Sequence, residues 1–503
     1  MNILRHGDYR HGARYDAEVV VVGTGAGGAV VGAELAEAGF DVILVEEGGY
    51  HPTSSFSPYL AESQPRLYRD NGGTVIMGNP PIPYAEGRCV GGSTVINGGM
   101  AWRPIPEVLD EWEHLLGPEM GAKGLDPYFS RVEERIHAKT QMPASIGDDN
   151  RIMAQGAKKL GWKYVENYRA QDACVGANSC ILGCPTGAKQ STLVSYMPRA
   201  FEHGARCFTE LRVDELVIEG GRCVGVKAWA VNPRTRRDEQ RVTIRARAVV
   251  LACGAVHTPN ILLQYRAARR SGQLGKNFLC HPNAKVVARF PYEVKGWQGV
   301  SQGGQIREFR HDGIVLAENF VPPAIMAAQI HGHGDEAWDV MKHYNHMVAT
   351  GVLVEDTRAG HVKRVFGRPS ARYDITKLDH ERFLRGIRYL AELHFAMGAD
   401  VVYLPFPNLQ KITSPDQLPL IEKTQTSPST LELFTVHLMG TCRMGDDDRA
   451  SVVDMKGEVW DLPGCYVADA SLFPTAVGTN PQVTIMALAT KVAHRMVETL
   501  GRG

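Results

Sequence analysis

The sequence predicts an α/β fold in which a discontinuous dinucleotide-binding domain is interleaved with an α+β domain built on an antiparallel sheet. Three observations predict it. Residues 17–49, AEVVVVGTGAGGAVVGAELAEAGFDVILVEEGG, read as strand, glycine turn, helix, strand and carboxylate. Residues 464–497 return to a short apolar strand ending in a carboxylate, followed by an amphipathic helix. Between them, from Lys285 onward, the pattern changes to strands of antiparallel character and one long helix.

The first unit carries a physical mechanism. Gly23 makes the tight turn, Gly25 lets backbone N–H groups approach a pyrophosphate, and Gly28 lets helix and strand pack closely, which is the Rossmann-like pattern. The helix N-terminus then faces the phosphates. Glu46 ends the second strand, where a carboxylate accepts hydrogen bonds from a ribose diol and repels a 2′-phosphate.

At 503 residues the chain is long enough for two or more domains. Lys plus Arg and Asp plus Glu both number 55, so the formal charge is zero and nothing suggests nucleic acid or an anionic membrane surface. The longest charge-free run, Ser471 to Thr490, is broken by Pro474, Gly478, Asn480 and Pro481 and so does not read as a membrane span. Met1 to Tyr15 shows no apolar signal region, so the chain reads as cytoplasmic unless a signal-bearing partner exports it. Ten cysteines are too sparse for a disulfide scaffold.

Taken in order, His51 to Ala85 reads as a long excursion over the surface or over a cofactor. Gly87 to Arg103, GRCVGGSTVINGGMAWR, has glycine pairs that bring backbone close to a flat ligand. Arg206 to Glu219 and Gly225 to Ala230 read as a hairpin turning at Gly220-Gly221, followed by a strand from Arg241 to Leu251. His346 to Val354 and His361 to Phe366 read as a strand pair, and Leu378 to Met397 as a helix with Phe383, Ile387, Leu390 and His394 on one face. The cluster His331, His333, Trp338, Met341, His343 and His346 reads equally as a pocket lining or as a solvated segment. Motifs set the boundaries: 15–105, 200–280 and 430–503 for the nucleotide domain, 106–199 and 281–429 for the substrate or cap domain.

Together with GRCVGGSTVINGG, ACGAVHTPNILL, HLMGTCRMG and VADASLFPTAVGTNPQVTIMALA, the opening unit resembles the glucose-methanol-choline (GMC) family of FAD-dependent oxidoreductases. These motifs span the chain in the family's order. The resemblance implies FAD, with Gly23, Gly25, Gly28 and Glu46 at its ADP half. It implies Gly91, Gly92, Ser93 and Asn97 along the isoalloxazine and ribityl chain, Val213 at the adenine, and Asp469 near the ribityl or pyrophosphate region. Relatives that bind FAD covalently do so through a histidine just before that asparagine. Here Ile96 stands there, which implies non-covalent FAD.

The same resemblance makes His437 and Asn480 the catalytic pair. The residue types suit oxidation of an alcohol: a neutral imidazole accepts the hydroxyl proton while hydride leaves carbon, and an amide orients the hydroxyl without ionising. For Asn480, followed by Pro481, a helix cap is the plainer role and is compatible with the first.

Cys174, Cys180 and Cys184, in CVGANSCILGCPTGAK, are three thiols within eleven residues. They read as packed thiols, as one disulfide with a spare, as part of a zinc site, or as ligands of a three-iron cluster. The run resembles the cysteine trio of GMC dehydrogenases that carry a three-iron, four-sulfur (3Fe-4S) cluster and pass electrons to a cytochrome partner or a quinone. The flavin loop also resembles that of cholesterol oxidases, and the C-terminal motifs those of long-chain alcohol oxidases, so direct reduction of oxygen to peroxide stays open. A non-redox lyase on the same scaffold is a further alternative. The substrate expectation is a bulky primary or secondary alcohol.

Overall fold

The computed structural model describes residues 2–265, 267–319, 321–425 and 427–501. Its centre is a six-stranded parallel sheet in the order Ile3–Leu4, Arg206–Phe208, Val42–Val45, Val19–Val22, Ala248–Leu251 and Cys465–Val467. Val19–Val22, Val42–Val45 and Ala248–Leu251 are buried along their whole length, as parallel strands covered on both faces must be. That is why they read as unbroken β-branched runs rather than alternating ones.

The helix Gly28–Glu37 is buried at every position but its last and packs against the C-terminal helix Gln482–Leu500. The helix Ala122–Arg135 lies against that C-terminal helix in turn. Glu34, buried in the first of these helices, is paired by Arg135 at 2.8 Å and Arg131 at 2.9 Å. Burial opposes its charge, but His494 and the two guanidinium groups hold it at about 2.

A second sheet, Leu211–Glu219, Arg222–Val231 and Asp238–Arg245, is an antiparallel meander edged by the parallel strand Arg14–Asp16. Two expectations from sequence change here. Arg206 to Glu219 is not one strand, because Glu210 has φ 56° and sends Arg206–Phe208 into the parallel sheet while Leu211–Glu219 enters the meander. Arg241 to Leu251 likewise splits, its two halves joining different sheets.

The third sheet has seven strands, all paired antiparallel: Lys411–Ile412, Val401–Tyr403, Asn283–Arg289, Met347–Val354, Ile314–Glu318, Gly304–Ile306 and Tyr164–Glu166. The helices Lys377–Ala396 and Asp148–Leu160 cover one face. His394 is buried there, its Nε2 3.0 Å from Thr350 Oγ1, and burial pushes it down to about 3.

His361–Val365 does not pair with Met347–Val354. It folds on Arg368–Arg372 through a tight turn at Phe366-Gly367, both with positive φ, which matches the twist of a two-residue hairpin. The excursion from 51 to 85 contains a helix, Leu60–Leu67, and a small hairpin, Thr74–Ile76 with Ile82–Tyr84. Trp338 is exposed, so part of the His- and Met-rich segment faces solvent. Among the described residues, no helix is long and apolar enough to cross a membrane.

Candidate active site

A cleft of about 1330 Å³ runs along the C-terminal ends of the central parallel strands, where open α/β sheets bind ligands. Its wall passes from Gly23, Gly25 and Glu46 past Val213, Gly92 and Ser93 to Asp469, Pro481 and Ile485.

Gly23 has φ 101°, and a Cβ there would lie 2.3 Å from the Ala252 carbonyl oxygen, so only glycine fits. A Cβ on Gly92 would come within 2.7 Å of Gly25 Cα, so the two glycine turns touch backbone to backbone beside the cleft. Gly28 opens the helix, whose first turn has no side-chain cap and leaves amide donors toward the cleft.

Glu46 is buried at the end of its strand. One carboxylate oxygen accepts from Thr24 N and Oγ1 at 3.1 and 2.7 Å, the other from Gly48 N at 3.0 Å. Burial raises its pKa despite these donors. Thr24 Oγ1 also accepts from Gly91 N at 3.1 Å, so one hydroxyl joins the first glycine turn to the second. Val213 is buried at a bulge in its strand, where the ladder slips before Glu215.

Asp469 lies on the cleft wall just past the end of its strand. Its carboxylate is filled by protein donors: Gly254 N at 2.8 Å, Thr258 Oγ1 at 2.5 Å, Ser471 N at 2.8 Å and Ser471 Oγ at 2.5 Å. It fixes two turns on the cleft wall and keeps a pKa raised by burial. Asn97 is also held by its neighbours: Nδ2 donates to Gln482 Oε1, and Oδ1 accepts from Gly99 N at 3.1 Å. Ser93 Oγ accepts from Gly87 N at 3.0 Å.

The interior of the cleft is charged in a way the sequence did not announce. Arg69 pairs with Glu47 at 2.9 Å and Glu86 at 3.3 Å, and His257 meets Glu86 at 3.2 Å. For Glu86, burial favours the acid, yet His257 and Arg69 hold its pKa below the ordinary value.

The structure brings together the two residues the motifs place 43 apart: His437 Nε2 and Asn480 Nδ2 are 3.1 Å from each other. Both are half-buried, and their neighbours Val436, Leu438 and Pro481 line the cleft. Burial pushes the His437 imidazole down to about 3, with His281 acting in the same direction and Asp356 against it. The imidazole is therefore neutral and able to accept a proton. The C-terminal helix begins at Gln482 with Pro481 at its N-cap, one residue later than a cap at Asn480 requires, so Asn480 stands before the cap and its side chain goes to His437.

Of the readings open for the cysteine trio, the metal-bound ones find no support. Among the described residues, no group of three or more His, Cys, Asp or Glu side chains is arranged to hold a metal ion. Cys174, Cys180 and Cys184 are free thiols. Cys180 Sγ takes Arg169 Nη2 at 3.4 Å, and Cys184, with φ 61°, takes Lys189 N at 3.3 Å and meets Thr186 Oγ1 at 3.4 Å. This arrangement does not fit a cluster with three thiolate ligands.

Lys189, missed from sequence, is buried behind the flavin-type loop. Its Nζ donates to Val95 O, Asn97 O and Cys180 O at 2.6, 2.8 and 2.6 Å, and burial lowers it to about 8. No motif marks it, because the signal is three carbonyls from two distant segments.

The cradle fits FAD. Two glycine turns meet beside the cleft, the start of the first helix lies on its wall at Gly27, a buried carboxylate closes the nucleotide strand, and the lining continues to Val436, Leu438 and Pro481, the chain neighbours of His437 and Asn480.

Comparison with known proteins agrees. Models described as GMC oxidoreductase match residues 64–283 and 359–489, and one described as FAD binding domain matches residues 18–60. An uncharacterized GMC-type oxidoreductase of Sinorhizobium fredii is 34% identical over 95% of this chain and 94% of its own length. A long-chain-alcohol oxidase of Arabidopsis thaliana is 26% identical, over 97% and 67%. Among solved structures, an Aspergillus oryzae formate oxidase variant superposes with a TM-score of 0.74 at 15% identity, over 98% of this chain and 99% of its own. Pyridoxine 4-oxidase from Mesorbium loti gives 0.72 at 17%, over 96% and 99%. With a one-third-identical relative aligned nearly end to end and family models matching both ends of the fold, this chain belongs to the GMC oxidoreductase family.

Proposed function

We propose that this chain oxidises the CH–OH group of an alcohol to an aldehyde or ketone, with FAD held non-covalently. The observation that carries this reading is the His437–Asn480 contact, beside Val436, Leu438 and Pro481 of the cleft wall. When bound, FAD supplies a two-electron acceptor for hydride at its N5. His437, kept neutral by burial, takes the hydroxyl proton at Nε2, the nitrogen that Asn480 Nδ2 contacts at 3.1 Å, once Asn480 transfers that hydrogen bond to the alcohol oxygen and so orients it. Gly23, Gly25, Gly28, Glu46 and Val213 bind the nucleotide half. Gly91, Gly92, Ser93 and Asn97 shape the wall toward the ring system, and Asp469 positions that wall. Ile96 is a buried hydrocarbon side chain, unable to form a bond to the cofactor.

The substrate is a bulky alcohol, in keeping with relatives named long-chain-alcohol oxidase and, in Methylovorus, 5-(hydroxymethyl)furfural oxidase. These names favour oxygen as acceptor, with hydrogen peroxide as product. A cytochrome or quinone acceptor is the second reading, and no electron step is routed through the cysteine loop.

The test is anaerobic mixing of the purified flavoprotein with sterols, long-chain alcohols, aryl alcohols and sugars. Bleaching of the flavin by an alcohol is expected, and bleaching by dithionite alone would overturn the reading. Oxygen and artificial acceptors compared on the reduced protein assign the acceptor. His437→Ala is expected to lower turnover by roughly 10²- to 10⁴-fold, as loss of a general base does, with flavin still bound.

A further inference from the structure

His437 has a buried neighbour that neither its motif nor the proposed reaction uses. His281 and Asp356 both have fully buried side chains, and Nδ1 of the imidazole lies 2.8 Å from Asp356 Oδ2. The same carboxylate accepts from the backbone N–H of Cys280 at 3.0 Å and of His281 at 2.9 Å. Those two bonds hold His281 at φ 40°, a left-handed conformation that an L residue seldom adopts. The imidazole ring stands edge-on to the His437 ring, with centroids 6.2 Å apart and planes at 82°, and its Nε2 has no hydrogen-bond partner among the described residues. A left-handed backbone, a carboxylate buried against an imidazole and a ring nitrogen short of a partner are costly together, and they converge on one side chain.

The geometry points to the His281–Asp356 ion pair as a positioning device for His437: its positive end faces the base, opposes a second positive charge there and so delivers the imidazole neutral to the substrate. His437 is thereby set between two different partners. Asn480 at Nε2 orients the ring, and His281 at its edge adds to burial in keeping it uncharged. The charged groups that face His437 are His281, from the segment entering the seven-stranded sheet, and Asp356, from the loop after Met347–Val354. Asn480 contributes no charge. Burial raises the pKa of Tyr373 and Cys280, the titratable groups that adjoin Asp356, so both are neutral over the working range. Asp356 itself is held below its ordinary pKa: burial opposes the charge, but His281 and the two backbone donors outweigh it.

The role assigned to His437 rests on the proposed reaction, but its charge state can be read without turnover. Flavin-loaded protein labelled with ¹³C at histidine Cε1 is titrated by NMR, with the His437 signal assigned from His437→Asn. Wild-type His437 is expected to stay neutral from pH 5 to 9. A His437 midpoint near its ordinary value would overturn the proposal even if every alcohol bleaches the flavin.

His281→Asn tolerates the positive φ and removes the positive end. It is expected to raise the His437 midpoint, and the acid limb of kcat/KM with it, by about one pH unit or more. That is roughly a tenfold or greater loss of rate below the limb, with little change on the alkaline plateau. His281→Asn/Asp356→Asn, which also removes the lone carboxylate, is expected to bring the midpoint part of the way back. A loss of rate equal at all pH values, with an unmoved His437 midpoint, would mean that the pair is only structural. Should His281→Asn fail to fold, His281→Gln and the wild-type titration decide the same point.

Discussion

Thr24 shows how much one hydroxyl can carry in this fold. It sits inside the first glycine turn with no exposure, donates to Glu46 at 2.7 Å and accepts from Gly91 N at 3.1 Å. Thr24→Val keeps the shape and removes both bonds, leaving a buried carboxylate oxygen and a buried N–H each short of a partner. The expected loss is about 1–3 kcal/mol, read as weaker FAD binding or a lower Tm of the apoprotein. An unchanged FAD Kd and Tm would show that water replaces the hydroxyl. Gly23 and Gly28 were legible in the sequence because each meets a steric demand that only glycine satisfies, as the 2.3 Å approach at Gly23 shows. Thr24 was not legible, because a threonine at a variable position of the motif is informative only once the second glycine turn lies across it. The four protein donors around the Asp469 carboxylate make it a brace for the turns there, a role its strand-end position alone does not reveal.

At the scale of elements, the parallel strands and the long helix announced themselves through period and burial: Leu378 to Met397 was expected and Lys377–Ala396 is found, capped by Thr376 and Asp379. Partners were less legible than elements. Met347–Val354 lies between Asn283–Arg289 and Ile314–Glu318, both far from the hairpin that sequence proximity suggested, because local pattern carries no information on long-range pairing. The joint between the cysteine loop and the flavin-type loop is of the same kind. Lys189 gathers carbonyls from Val95, Asn97 and Cys180, so it acts as a rivet between two irregular segments that share no strand ladder. Lys189→Met keeps the buried stem and strands three carbonyls. The expected cost is at least about 3 kcal/mol, with flavin released more readily than from wild type. Retention of FAD at the wild-type Tm would show that the two loops are held by packing alone.

Over the whole molecule, several groups are buried in forms that acid disfavours, and their signs agree. His394 and His437 are both pushed down to about 3 by burial, against an ordinary value near 6.5. In the unfolded chain each binds a proton as pH falls through ~6.5, while in the folded chain neither does until about 3. The unfolded state therefore holds more protons throughout this window, and stability is lost as pH falls. The slope is up to about 1.4 kcal/mol per pH unit for each histidine, smaller for half-buried His437, where solvent screens the penalty. Glu34, held at about 2 by His494 and its two arginines, adds a loss of the same sign only below its ordinary value of 4.5. Histidine therefore dominates between pH 6.5 and 5. The urea midpoint of wild type is expected to fall by an amount equivalent to about 2–4 kcal/mol across that range. His394→Gln, which can still reach Thr350 but cannot ionise, is expected to lose less by about 1–2 kcal/mol. An identical pH dependence in wild type and His394→Gln would show that His394 is already protonated in the folded protein, and that the seven-stranded sheet and its covering helix open to water well before the molecule unfolds.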